Sequence, residues 1–210
     1  MSADPDETRT GPDETRTSVW LAIRPAAPAR RRTEAPSGLD RERITTATVR
    51  LLDTEGLTRF SMRRLAAGLG VTAMSLYWYV DTRHDLLELA LDRALGELVL
   101  PGPGEPGQQG WPTALRGLAR EYRRVLAAHP WVAPLTAAYP NIGPSARAFD
   151  AALQQLLDAT GLTGGARTGV HLALSQFLHG CGGMVRRVPE SDFCLAVDVL
   201  VAGIEAKATG

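Results

Sequence analysis

A chain of 210 residues that is 44% apolar has room for one domain or two small ones around a real core. Its 23 basic and 23 acidic residues cancel, which excludes nucleic-acid binding through the overall field and leaves that role only to a local patch. No run approaches the ~18 apolar residues of a membrane span, and the start, "MSADPDETRT", lacks a signal-peptide stretch, so we expect a cytoplasmic protein without membrane contact.

All the basic residues except Lys207 are Arg, and Ala, Gly and Pro are abundant; this reads as the codon bias of a GC-rich genome rather than as chemistry. Cys181 and Cys194 show no paired spacing and read as small buried residues in a reducing compartment.

Residues 1–38 read as a disordered arm. "PDETRT" occurs at 5–10 and again at 12–17 without apolar anchors, and "RPAAPARRRTEAPSG" follows, a composition that buries too little to offset chain entropy. Arg30, Arg31 and Arg32 leave two readings open, an inert tail or a basic arm on DNA.

From Asp40 the pattern turns helical. Ile44, Ala47, Leu51 and Leu52 share a face, with Asp40 as N-cap and Gly56 as stop. "SMRRLAAGLG" puts Met62, Leu65, Ala66 and Leu69 on one face and ends at Gly68–Gly70. A third helix starts at Thr72 and buries Leu76 and Val80; a longer one runs from about Asp85 to Val99. "PGPGEPGQQG" makes 100–110 a linker, and residues 111–210 read as helices near 112–128, 130–137, 144–160, 164–186 and 191–207. With no period-two strands, the fold class is all-α.

Two short helices joined by "GLGV", the second capped by Thr72, form a helix-turn-helix pattern. It accounts for "VTAMSLYWYV", which holds three of the chain's twelve aromatic rings side by side. On a helix, three successive residues point about 100° apart, so they cannot all be buried. If the two helices pack through Leu65, Leu69, Val71, Leu76 and Val80, then Ala73, Met74, Ser75, Tyr77, Trp78 and Tyr79 spread over the outer surface. Small residues permit close approach to a groove, and rings and hydroxyls reach thymine methyls and phosphates.

"RITTATVRLLDTEGLTRFSMRRLAAGLGVTAMSLYWYVDTRHDLLELAL", residues 41–91, resembles the DNA-binding domain of the tetracycline-repressor (TetR) family, most tellingly in "SMRRLAAGLGV", "SLYWYV" and a basic residue followed by "DLL". "LYWYV" is especially close to the tetracycline repressor's own subgroup, as, less specifically, are "AAHPWVAPL" and "GPSARAFDAALQQLLDATGL". Tyr79 stands where His is frequent and Arg83 where Lys is common. The resemblance implies a three-helix DNA-binding domain with a connecting helix over 39–99 and a helical ligand-binding and dimerisation domain over 111–210. It implies DNA contacts from Ser61, Arg63, Ser75, Tyr77, Trp78, Tyr79 and Arg83, and Thr72, Ala73 and Met74 join them at the start of the recognition helix.

His84, His129, His171 and His179 are scattered, and no HExxH, GxSxG, Walker A or GxGxxG sequence occurs, so no metal, cofactor or catalytic site is expected. Among the dispersed aromatics of the second half, Tyr122, Trp131 and Phe149, with His171 and Ser175, form a candidate pocket set. Gly180, Gly182 and Gly183 inside a helix cost about 1 kcal/mol each, which close helix approach offsets, at a two-fold interface or within the chain. Phe193, Ala196, Val197, Leu200 and Ile204 stripe the last helix. The reading is a ligand-responsive transcriptional regulator, a repressor, acting as a homodimer on a palindromic double-stranded operator and released by a small organic effector. The alternative is an all-α enzyme or cofactor-binding protein whose first helices are only a hairpin.

Overall fold

The computed structural model describes residues 17–21, 38–102, 106–185 and 187–209. Among these, every regular element is helical: α1 (Arg41–Glu55), α2 (Met62–Leu69), α3 (Ala73–Leu76), α4 (Arg83–Leu95), α5 (Pro106–Ala128), α6 (Val132–Ala138), α7 (Pro144–Ala159), α8 (Gly164–Gly180) and α9 (Glu190–Ala208), with 3-10 turns at Leu57–Arg59 and Cys181–Gly183.

Local chemistry sets the boundaries. Asp40 caps α1 by accepting the Arg43 amide at 2.6 Å, and Gly56, at φ 78°, stops it. α4 begins two residues before the expected Asp85, because Thr82 and Asp85 form a reciprocal capping box: each side chain accepts the other's amide, at 3.1 and 3.2 Å. It ends at Leu95 rather than Val99. The expected linker is partly helical, since α5 starts at Pro106 and is interrupted at Gly110, φ 73°, just before half-buried Trp111 and Pro112.

α8 does not continue to 186. The chain tightens into a 3-10 turn at Cys181–Gly183 because Gly182 sits on α6, where a Cβ would lie 2.1 Å from that of Ala133. The close approach that this glycine permits is therefore made within the chain. A Cβ added at Gly180 or Gly183 would meet nothing within 4 Å.

α1 to α4 close around Ile44, Leu52, Leu65, Leu76 and Leu86, all nearly inaccessible. α5, α7 and α8 close around Leu118, Tyr122, Leu153, Leu156 and Leu178. α4 belongs to both layers: it packs on α1 and also on α6 and α7. α8 and α9 are thinly covered, leaving Leu172, Leu195 and Val199 at 60–65% exposure.

One part of the N-terminal arm is ordered, contrary to expectation. Ser18 is buried and its hydroxyl donates to the Glu88 carboxylate on α4, while Val19 and Trp20 pack on the core. A single buried charge-assisted bond and an indole supply what the local composition lacks. Arg30, Arg31 and Arg32 lie outside the described residues.

Candidate nucleic-acid interface and ligand cavity

Ser61 caps α2, accepting the Arg64 amide at 3.3 Å. α2 ends in a Schellman turn: Gly70 at φ 70°, ψ 28° and Val71 return their amides to Ala67 and Ala66 at 3.2 and 3.0 Å. Only glycine enters that left-handed conformation cheaply, so Gly70 sets the angle between the two helices. Thr72 then caps α3, with its hydroxyl 3.3 Å from the Ser75 amide and 2.9 Å from the Ser75 hydroxyl.

Thr72 and Met74 (70% exposed) project into solvent, with Ala73 and Ser75 half-buried between them. The aromatic triplet differs from expectation. The α-helix ends at Leu76 and the chain continues in turns, the Tyr77 amide bonding Met74 and the Tyr79 amide Leu76. Tyr77 and Tyr79 fold back to pack on the core, and Trp78 is half-buried without joining that packing. Arg63 is exposed beside Arg64, which pairs with Glu55 at 2.7 Å; Arg83 lies over the Phe60 ring at 5.3 Å and stays half-exposed.

Behind this unit, polar bonds tie α1 and α4 to the second layer. Asp53 on α1 accepts from Trp131 Nε1 at 2.6 Å and lies 2.7 Å from His129 Nδ1; Glu97, beyond α4, lies 3.1 Å from His129 Nε2. Burial lowers the affinity of His129 for a proton, but the hydrogen bonds to Asp53 and Glu97 outweigh it and leave its pKa raised. The carboxylates sit on opposite ring nitrogens, so they do not converge on one point as metal ligands would. Asp92, buried on α4, caps α7 from outside, accepting the Ser145 and Ala146 amides at 2.9 and 3.0 Å. His84 Nδ1 meets the Tyr139 hydroxyl at 2.7 Å.

Between α5, α7 and α8 lies a cavity of about 410 Å³. Of the candidate pocket set, Tyr122, Phe149 and Ser175 line it, together with Asn141, Arg147, Asp150 and His179. Trp131 and His171 do not. Trp131 is sealed at the interlayer junction by its bond to Asp53, and His171 faces Gln154 (3.3 Å) and Asp150 (3.7 Å). Asn141, after α6, carried no sequence signal; its amide donates to Thr136 and Tyr139 carbonyls, leaving its buried oxygen without a partner.

Tyr122 stacks on Phe149 at 5.0 Å between centroids and meets His179 edge-on at 6.1 Å. Its buried hydroxyl makes no well-formed hydrogen bond, and the nearby Thr136 hydroxyl is committed to the Ala133 carbonyl. Burial pushes its pKa up to about 12, with Thr136 opposing the shift, so the phenol is a protonated donor.

The architecture is that of an all-α helix-turn-helix protein with a second helical layer that holds a partly open cavity of mixed aromatic and polar lining. The chain belongs to the tetracycline-repressor family: the model for bacterial regulatory proteins of the tetR family matches residues 44–90, and that for the tetracyclin repressor-like C-terminal domain matches 102–182. An HTH-type transcriptional regulator of Saccharopolyspora erythraea is 42% identical over 123 residues, which is 59% of this chain and 51% of the relative. The HTH-type transcriptional repressor DrrR1 of Streptomyces coeruleorubidus is 39% identical over 122 residues, 58% of this chain and 44% of the relative. The chain thus spans about half the length of these curated relatives. Among solved structures, ActR of Streptomyces coelicolor in complex with actinorhodin superposes with TM-score 0.67 at 26% identity, over 82% of this chain and 99% of that one. Among the described residues, no helix is long and apolar enough to cross a membrane.

Proposed function

We propose that the protein is a ligand-responsive transcriptional repressor that binds a palindromic operator as a homodimer and leaves it when a small organic effector fills the α5–α7–α8 cavity. The observation that carries the reading is the Schellman-turned helix pair, which leaves the Thr72-capped turn open to solvent. Thr72, Ala73, Met74 and Ser75 enter the major groove there, with Tyr77, Trp78 and Tyr79 at its edge. Ser61, Arg63 and Arg83 reach the phosphates. The names of the relatives support regulation of transcription, and the ActR complex supports a small organic molecule as effector class. The exposed Leu172, Leu195 and Val199, flanking a shallow groove between α8 and α9, support a second copy as the cover for that face.

A gel-shift with a duplex from upstream of the protein's own gene tests DNA binding. Sedimentation at micromolar concentration tests the dimer, and a thermal-shift screen of aromatic compounds tests the effector. A wild-type chain that retains no such duplex sinks the repressor reading; a compound that raises Tm and releases the duplex supports it.

A further inference from the structure

Residues Thr17–Leu21 are separated from α1 by some twenty residues of sequence, yet they are seated on α4. The Ser18 carbonyl accepts the Leu21 amide at 2.9 Å, closing a tight turn, and the Ser18 hydroxyl accepts the Trp20 amide at 3.3 Å while donating to Glu88. Ser18 and Glu88 are each only 4% exposed, so this bond is formed out of water. Five residues without a periodic apolar pattern do not order unaided; the seat orders them.

That seat lies across the joint between the two layers. Trp20 shares the lining of one small void with Leu91, Asp92 and Leu95 of α4 and with Tyr139, Asn141 and Ala146 around the start of α7. Asp92 is the residue whose carboxylate caps α7, and Ala146 is one of the two amides it receives. Trp20, Asp92 and Ser145 also line one open surface cleft, so the indole flanks the cap at the side where water reaches it. Leu95, Asn141 and Ala146 also line the cavity. Trp20 and any occupant of the cavity thus share one wall.

We propose that Thr17–Leu21 is a strap acting in cis, with Ser18 and Trp20 as positioning residues that steady the Asp92 cap and fix the pose in which α4 carries the helix-turn-helix unit. The effect on DNA rests on the repressor reading above; the effect on the cap does not.

The test uses full-length chains carrying Trp20→Ala, Trp20→Phe or Ser18→Ala, with Leu21→Ala, at a 60% exposed position, as control. Amide hydrogen exchange is followed without DNA or ligand at Ser145 and Ala146, which report the cap, and at Leu65 and Val71, which report the helix-turn-helix core. Trp20→Ala and Ser18→Ala are expected to speed exchange at Ser145 and Ala146 by about tenfold or more while leaving Leu65 and Val71 unchanged. Trp20→Phe restores most of the protection, and Leu21→Ala changes nothing. Unchanged protection at Ser145 and Ala146 in both disruptive variants overturns the strap, as does an equal loss at all four amides. Affinity for the upstream duplex is measured in parallel, and a shift of about fivefold or more in Trp20→Ala, reversed in Trp20→Phe, is expected. Faster exchange with unaltered affinity overturns the coupling to DNA. If the wild-type chain does not hold the duplex, the repressor reading fails, and the exchange data still decide whether the strap exists.

Discussion

Replacing Asp92 by Ala removes the carboxylate that receives the Ser145 and Ala146 amides at 2.9 and 3.0 Å. α7 has no substitute, because its own N-cap residue is Gly143. Loss of a side-chain cap costs about 0.5–2 kcal/mol, and a buried donor left without an acceptor costs about 1–3 kcal/mol. These figures overlap, since both describe the same stranded amides, so we expect a loss of about 2–3 kcal/mol for Asp92→Ala. Asp92→Asn keeps an acceptor but removes the charge facing the helix dipole, and about 1 kcal/mol should be lost. Gly143→Ala reaches the same bond from the other side. Its φ of −65° suits any residue, but the new Cβ would lie 2.2 Å from Asp92 Oδ1, so the carboxylate has to leave. The double variant should lose clearly less than the sum of the two, because each change destroys the same cap. Urea unfolding followed by circular dichroism measures all four chains. A loss below about 0.5 kcal/mol for Asp92→Ala, as at an ordinary surface position, or strict additivity with Gly143→Ala, would refute the cap.

Tyr122→Phe removes a buried hydroxyl that lacks a well-formed bond, so the unliganded protein should keep or gain stability in thermal unfolding, whereas compounds found in the effector screen should bind more weakly; a destabilised variant with unaltered binding contradicts this. His129 has a raised pKa, so its contribution to stability is full below the unfolded value of about 6.5 and fades as pH climbs through the folded value. The advantage of wild type over His129→Gln in urea should therefore shrink from pH 6 toward alkaline pH, and an advantage that grows instead would refute the ion-paired geometry. Trp78→Ala should cost about 1 kcal/mol of stability while weakening operator binding in a titrated gel-shift; the about 3–5 kcal/mol typical of a fully buried Trp, with unaltered affinity, would make it a core residue.

The helix-turn-helix unit was legible because its information is local. Asp40, Ser61 and Thr72 cap the helices that follow them, and Gly70 occupies the one left-handed position of the turn. The aromatic triplet misled through a geometric assumption: 100° spacing holds only while the helix continues, and α3 gives way to turns after Leu76. Tyr77 and Tyr79 are thereby freed to fold inward. Trp131 joined the pocket set on chemistry alone, since a bond to Asp53, 78 positions away, leaves no periodic trace. The same holds for Ser18 and Glu88, 70 positions apart, in a segment whose composition argued for disorder. Tyr122, Phe149 and Ser175 do line one cavity, because residues on facing helices converge wherever such helices leave space between them.

The placement of the four tryptophans has a practical consequence. Trp20 lies in the docked turn, Trp78 in the turns after α3, Trp111 just after the break at Gly110 in α5, and Trp131 against Asp53. Each indole sits at a different joint of the molecule. Chains that keep one indole and carry Phe at the other three positions would report these joints separately by intrinsic fluorescence, without any attached dye. Stopped-flow mixing with a ligand could then order the movements in time: which joint yields first, and whether the signal travels from the cavity toward α3 or through the N-terminal turn.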